Sequence, residues 1–338
     1  MSVPGDSAVR HSRLAKPSVA LIGAGSMGAN HARTIANSEH ATLGVVVDCE
    51  VGRAADLAET YGARFSQDVE DALSCDMAVV ATTAHTHLQV ARPLIEEGIP
   101  VLVEKPLASD IDETRRLIGI SERRGTPMMC GFVERFNPVV IAARDQIAME
   151  GPAIHIVGMR HSPPNPRAAL SVVHDLLIHD ADLVFALTGE VGPTEASGTT
   201  WWSPSTGFDE IADATVTLES GALATVSASR MGQRKVREFR VATGSALFEL
   251  DLLRRTLTVY RHVSQEALMF ASGYRAETVV DIPFVRQEGE PLALQFRHFL
   301  SLAAGEVDPK VERDSVLPSH EVVAKVGPIS QRLLSVQH

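Results

Sequence analysis

Asp175 and His179 stand four residues apart in Val172-Val173-His174-Asp175-Leu176-Leu177-Ile178-His179-Asp180-Ala181-Asp182-Leu183. In a helix, that spacing brings both side chains to one face. A histidine with an ordinary pKa of about 6.5 is suited to accept the proton of a hydroxyl, and a carboxylate beside it can orient the ring and favour the imidazolium. Lys105 lies between Glu104 and Pro106, just past the apolar run Val101-Leu102-Val103. An ammonium held there can steady negative charge developing on an oxygen. Plainer readings compete: the aspartate and histidine only cap or solvate their helix, and the lysine is a solvated loop residue. A metal site built from His85, His87, His174, Asp180 and Asp182 is disfavoured, because the chain has no HExxH pattern and no closed Cys/His set.

The elements that must carry these groups start at Val19-Ala20-Leu21-Ile22, an uninterrupted apolar run that reads as a strand buried on both faces. Gly23-Ala24-Gly25-Ser26-Met27-Gly28 then forms a GxGxxG turn into a helix. Gly23 allows the tight turn, Gly25 lets backbone approach a pyrophosphate, and Gly28 lets the helix pack on its strand. The helix N-terminus, with Ser26 and Met27, offers free N–H groups to phosphate. Asp48 closes the next apolar run twenty residues after Gly28, where a carboxylate accepts hydrogen bonds from an adenosine ribose. Strand, spacing and acid together point to a dinucleotide. Asp48 would repel a 2′-phosphate, so NAD is favoured over NADP, a preference that Arg53 would weaken if it reached the ribose.

Downstream the pattern keeps alternating. Val51–Gly62, Val69–Leu73, Leu88–Glu97 and Ser109–Arg124 read as helices, and Ala63–Phe65, Met77–Ala81, Pro100–Val103 and Met128–Phe132 as strands. Alternation of this kind predicts a doubly wound, mostly parallel sheet, with ligands beyond the carboxyl ends of its strands. Thr82, Thr83, His87, Glu104 and Lys105 all follow strand ends. From about Pro152 the pattern changes. A strand over Ile154–Arg160, the loop from Ser162 to Arg167 and a helix from about Val172 to Leu187 precede six strands between Thr194 and Tyr260. Glu219-Ser220-Gly221 joins two of these as a hairpin. Helices over Leu292–Ala304 and Ser319–Leu334 close the chain.

The predicted architecture is therefore α/β. Residues 1–16 form a flexible arm and 17–133 a Rossmann domain; 134–338 form an α+β domain with a largely antiparallel open sheet, its last helices able to pack back on the first domain. At 338 residues two domains are the default. A formal charge of −11 disfavours nucleic acid and anionic membrane as partners. No apolar run is long enough to span a bilayer and no signal-peptide core is visible, so the cytoplasm is the expected compartment. Cys49, Cys75 and Cys130 fit neither a disulfide framework nor a CxxC site and read as reduced thiols. The exposed face of the second sheet, with alternation through Asp213-Ala214-Thr215-Val216-Thr217-Leu218, is suited to pairing in a homodimer or homotetramer.

The glycine turn, Asp48 with Arg53, Glu104-Lys105-Pro106 and Asp175-x-x-x-His179 resemble the glucose-fructose oxidoreductase, inositol dehydrogenase and rhizopine-catabolism (Gfo/Idh/MocA) family, over nearly the whole chain from Pro17. The resemblance implies an NAD(P)-dependent oxidoreductase acting on a ring hydroxyl of a sugar or cyclitol. By it, Lys105 is the motif lysine, Asp175 the assisting aspartate and His179 the catalytic base. Gly23, Gly25, Ser26, Met27 and Gly28 hold the pyrophosphate, Asp48 the ribose, and Thr82, Thr83 and His87 line the nicotinamide side. Many members have Thr-Pro where this chain has Thr82-Thr83; Pro106 is expected to be cis.

The run Val133-Glu134-Arg135-Phe136-Asn137-Pro138, Arg160, and the His174–Asp180 stretch are similar to a branch that oxidises the 3-hydroxyl of UDP-N-acetylglucosamine-type sugars. Glu134, Arg135, Asn137, Arg160 and Arg167 are then candidate substrate ligands, against internal ion pairing as the other reading. The alternative substrate is a free cyclitol such as inositol. The alternative function is a non-catalytic, NAD-bound sensor or scaffold on the same fold.

Overall fold

The computed structural model describes residues 16–165, 170–264 and 276–328. The expected arm and Arg167 lie outside them. The first half is a six-stranded, all-parallel sheet in the order β3-β2-β1-β4-β5-β6. Its strands are β1 (Ser18–Ile22), β2 (Thr42–Val47), β3 (Arg64–Ser66), β4 (Met77–Val80), β5 (Val101–Val103) and β6 (Met128–Cys130). The connecting helices are α1 (Ser26–Ala36), α2 (Val51–Tyr61), α3 (His87–Glu96) and α4 (Ile111–Arg124). Strand order reverses between β2-β1 and β4, which opens the crevice of a doubly wound sheet above Gly23.

Local chemistry sets the helix ends. The Asp110 side chain accepts from Glu113 N–H at 2.8 Å to cap α4, and Gly62 and Gly125 take left-handed conformations (φ 69° each) to end α2 and α4. The segment Val69–Ser74 is a 3-10 turn, capped by Asp68, rather than an α-helix. A helix not foreseen from the hydrophobic pattern, α5 (Pro138–Glu150), joins the halves; Asn137 caps it and Pro138 supplies its first position.

The second half is a nine-stranded mixed sheet in the order β14-β13-β12-β11-β7-β10-β9-β8-β15. The strands are β7 (Ala153–His161), β8 (Pro193–Ser203), β9 (Phe208–Leu218), β10 (Leu223–Ser229), β11 (Val236–Thr243), β12 (Leu247–Asp251), β13 (Thr256–Ser264), β14 (Ala276–Asp281) and β15 (Val326–Pro328). Only the pairs β7/β10 and β8/β15 are parallel. The helix predicted from Val172 to Leu187 is interrupted: Val173–Leu177 is a π-turn, continued by α6 (Ile178–Thr188). A π-turn lodged in an α-helix reaims the side chains around it, and such turns are frequent at functional sites.

The chain ends with α7 (Pro291–Ala303), α8 (Pro309–Asp314) and α9 (Leu317–Val323). Phe296, Phe299 and Leu302 of α7 are buried with Val19 and Leu21 of β1 and Ala32 and Ile35 of α1, so the tail of the chain completes the first half's core. The expected helix over Ser319–Leu334 stops at Val323, because Val326–Pro328 pairs with Gly198–Thr200 as an edge strand; residues 329–338 lie outside the described ones. No helix among the described residues is long and apolar enough to cross a membrane.

Candidate active site

The glycine turn has the geometry that its spacing predicts. Gly23 sits at φ 102°, and a Cβ there would meet the Ala81 carbonyl at 2.6 Å. A Cβ on Gly28 would come within 1.9 Å of the Gly23 oxygen, whereas one on Gly25 would meet nothing within 4 Å. Backbone is thus packed tightly on two sides and left open on the side where a pyrophosphate approaches. No side chain caps α1, and Gly25, Ser26 and Met27 are exposed, so the first-turn N–H groups remain free for an anion. These residues fit a dinucleotide. Asp48 follows β2, where its carboxylate accepts from Ala24 N–H at 2.6 Å and Glu50 N–H at 2.9 Å, holding the turn to the strand end. Arg53 is exposed in the first turn of α2.

Beyond β4, Thr83 is exposed and the Thr82 hydroxyl accepts from Thr86 at 2.8 Å. His87, expected to line the nicotinamide side, is instead 1% exposed. Its ring nitrogens lie 3.1 Å from the Thr82 carbonyl and 2.9 Å from that of Pro106, so it ties the β4 loop to the turn after β5. Burial holds its pKa below the ordinary histidine value. The Lys105–Pro106 bond is cis. Glu104, expected at the cofactor, is buried and pairs with His31 of α1 at 2.7 Å. It therefore fastens the Lys105 turn to the glycine-turn helix from within.

Lys105 and Asp175 meet across the two halves. The ammonium donates to the Asp175 carbonyl at 2.8 Å and to Asp175 Oδ1 at 3.3 Å. Asp175 Oδ2 accepts from Arg230 at 3.2 Å, and Arg230, itself 1% exposed, is fixed by Glu210 at 2.6 Å. The aspartate therefore anchors the lysine and does not orient the histidine. His179 has no hydrogen bond to Asp175; its Nδ1 is buried without a partner, leaving Nε2 as the nitrogen open to the cleft. Burial first, then the charges of Lys105, Arg160 and Arg237, push its pKa well below the ordinary value. The expectation of a favoured imidazolium is not met: Asp175 is turned to Lys105 and Arg230, and burial with three nearby cations disfavours the charged ring, which favours the form of a base.

Four of the residues expected at the substrate are engaged inside the protein, as the ion-pairing reading has it. Arg135 donates to Asp182 at 2.8 Å and 2.5 Å and to Ser315 at 2.7 Å. Arg160, 2% exposed, is held by Asp180 at 2.7 Å and Glu134 at 2.9 Å. Glu134 also accepts from Arg237 at 3.1 Å, while Asn137 donates to Glu134 and to the Leu252 carbonyl. Asp180 and Asp182 follow closely after His179, so these pairs brace the helix that carries it.

Sequence reasoning missed Arg230, Arg237, His31 and His320, whose partners are remote in the chain. His320 of α9 is the most consequential. Its Nε2 accepts from Leu107 N–H at 2.9 Å and its Nδ1 donates to the Val316 carbonyl at 2.8 Å, which closes the Lys105 turn from behind. Burial, with the charges of His174 and Arg135, brings its pKa down to about 4. A depressed histidine contributes stability that is fully present above the unfolded value of about 6.5 and is lost as pH falls toward the folded value. Over that interval the loss is on the order of 3 kcal/mol. Thermal melting should accordingly drop between pH 6.5 and pH 4 in the wild-type protein and drop less in His320→Gln; equal pH slopes would remove this role.

Residues 18–132 match the family model described as "Oxidoreductase family, NAD-binding Rossmann fold", and residues 155–245 match the GFO/IDH/MocA C-terminal domain. The chain is 31% identical over 276 residues to a UDP-N-acetylglucosamine 3-dehydrogenase of Acidithiobacillus ferrooxidans, covering 81% of this chain and 82% of that one. It is 35% identical over 228 residues to a myo-inositol dehydrogenase of Streptomyces leeuwenhoekii, covering 63% and 69%. A solved structure of the Acidithiobacillus enzyme superposes with a TM-score of 0.78 at 27% identity, covering 93% of this chain and 98% of that one.

Proposed function

The chain belongs to the GFO/IDH/MocA family of NAD-binding Rossmann-fold oxidoreductases, and on that premise we propose that it oxidises the 3-hydroxyl of a nucleotide sugar of the UDP-N-acetylglucosamine type, with NAD. The observation that carries this reading is Lys105, which projects from the end of β5 and is pinned by Asp175.

An ammonium has three N–H groups, and two of those on Lys105 are taken by Asp175. The third is available to the reacting oxygen, where it stabilises the charge that builds as the proton leaves. His179 Nε2 accepts that proton. Arg230 holds the Asp175 carboxylate in place, so the lysine's direction is set before substrate arrives. When bound, the dinucleotide supplies the acceptor for the hydride. Thr82, Thr83 and the glycine turn border its place, and Asp48 favours NAD because a free 2′-hydroxyl, unlike a 2′-phosphate, can donate to a carboxylate.

A second substrate, inositol, is supported by the similarity to a myo-inositol dehydrogenase. Assaying UDP-N-acetylglucosamine and inositol in parallel, each with NAD and NADP, decides between them. We expect NADH formation with the nucleotide sugar and at least about tenfold higher kcat/KM with NAD than with NADP. Turnover of inositol alone would replace the substrate. No turnover of either, with NAD-dependent capture of a partner protein, would favour a sensor or scaffold.

We also propose that the open face of the nine-stranded sheet pairs with a second copy. Met159, Leu223 and Trp201 are exposed on it at 37%, 56% and 48%. The mass in solution should be two or four times that of one chain; a monomer at micromolar concentration would refute the pairing. The free thiols Cys49, Cys75 and Cys130 suit a reducing compartment, and the cytoplasm is our assignment, to be checked by cell fractionation.

A further inference from the structure

A pocket of about 390 Å³ lies between α1 and the second sheet. Asn30 and Arg33 of α1 line it, with Arg237 of β11, Arg255 of the β12–β13 turn, Glu134 and Glu290. None of the glycine turn, Asp48 or Lys105 belongs to it, so it is separate from the dinucleotide cradle. Its wall is nonetheless tied through ion pairs to the helix that carries His179. Glu134 joins Arg237 to Arg160, and Arg160 is bonded to Asp180, the residue after His179.

Its charges do not balance. Arg33 is paired with Glu290 at 3.1 Å, and Arg237 shares Glu134 with Arg160. Arg255 has only a neutral acceptor, the Gln287 amide oxygen at 3.1 Å, and no carboxylate partner among the described residues. It is also the one non-glycine residue at positive φ (56°) among them. A left-handed conformation strains an L-residue, and glycine would avoid that strain at this hairpin position. An arginine without a counter-ion, kept where its backbone is strained, calls for an anionic ligand.

We propose that this pocket is a subsite for the diphosphate of a nucleotide-linked sugar, with Arg255 as its principal ligand and Arg237 and Asn30 as further donors. The inference rests on the sugar-oxidising reading above and extends it. A guanidinium meets two phosphate oxygens at once, which a hydroxyl-rich cyclitol cannot exploit in the same way. Of the three arginines that sequence alone put forward for this task, Arg135 and Arg160 are already engaged by Asp182, Asp180 and Glu134, and Arg167 lies outside the described residues.

The test is titration of UDP, as the probe, into the NAD-loaded full-length protein by calorimetry. Wild type should bind UDP, and Arg255→Ala should bind it at least about tenfold more weakly with NAD affinity unchanged. Arg255→Gly, which suits the positive φ and keeps the hairpin, should lose UDP to the same extent while melting no lower than wild type. Equal UDP affinity in wild type and both variants, or no UDP binding to wild type, would overturn the subsite. The two readings fail separately. Turnover of UDP-N-acetylglucosamine with an unchanged KM in Arg255→Ala removes the subsite and leaves the reaction. UDP binding that depends on Arg255, with no sugar turned over, leaves the subsite and removes the reaction.

Discussion

Replacing Lys105 by alanine lowers kcat by about a thousandfold while the affinity for NAD changes less than about threefold. The lysine side chain is only 16% exposed and two of its three donors are committed to Asp175, so its remaining N–H is aimed rather than free to wander. A preorganised donor of this kind contributes mainly where charge develops, in the transition state, and little to ground-state binding of a dinucleotide seated on the glycine turn. Lys105→Arg should restore little, because a planar fork cannot keep both bonds to Asp175 and point a third at the same oxygen. Steady-state kinetics together with fluorescence titration of NAD provide the check. An alanine variant that retains more than about a tenth of wild-type kcat would exclude the lysine from the reacting centre.

His179→Ala is expected to lower kcat by about a hundred- to ten-thousandfold, and the wild-type pH profile carries the sharper prediction. Burial and the cations Lys105, Arg160 and Arg237 hold the imidazole pKa well below its ordinary value. The neutral base therefore persists as pH falls through about 6.5, and the acid limb of kcat/KM belongs below that point. An acid limb at or above about 6.5 would mean that a carboxylate stabilises the imidazolium, contrary to the placement of Asp175 against Lys105 and Arg230. Removing a cation should move the limb upward: Arg237→Gln, at the edge of the cluster, is the variant in which to look for it.

The arginines make the limits of sequence reading concrete. Arg135 and Arg160 are equally suited to a sugar diphosphate and to a buried carboxylate, and residue type cannot separate the two uses. The acids that claim them, Asp182 and Asp180, lie 47 and 20 residues away in the chain. Arg230 reaches Asp175 across 55 residues, and His320 reaches Leu107 across 213. Helix α5 was open to prediction, since Asn137-Pro138 is an N-terminal signal, but apolar residues on its solvent side, such as the exposed Met149, blur its amphipathic periodicity.

What the chain determines by itself is what depends on neighbours in sequence. A four-residue apolar run ending in GxGxxG specifies a buried strand, a turn with no room for Cβ atoms and an uncapped helix start, whatever surrounds them. Spacing alone likewise put Asp48 at a strand end and the lysine of Glu104-Lys105-Pro106 past another. Folding decided the rest: which acid meets which base, that Asp175 serves the lysine instead of the histidine, and that burial and nearby cations disfavour a charged His179. Those outcomes hinge on distances between remote segments and on burial, and electrostatic energies change steeply with both, whereas a residue's identity carries neither.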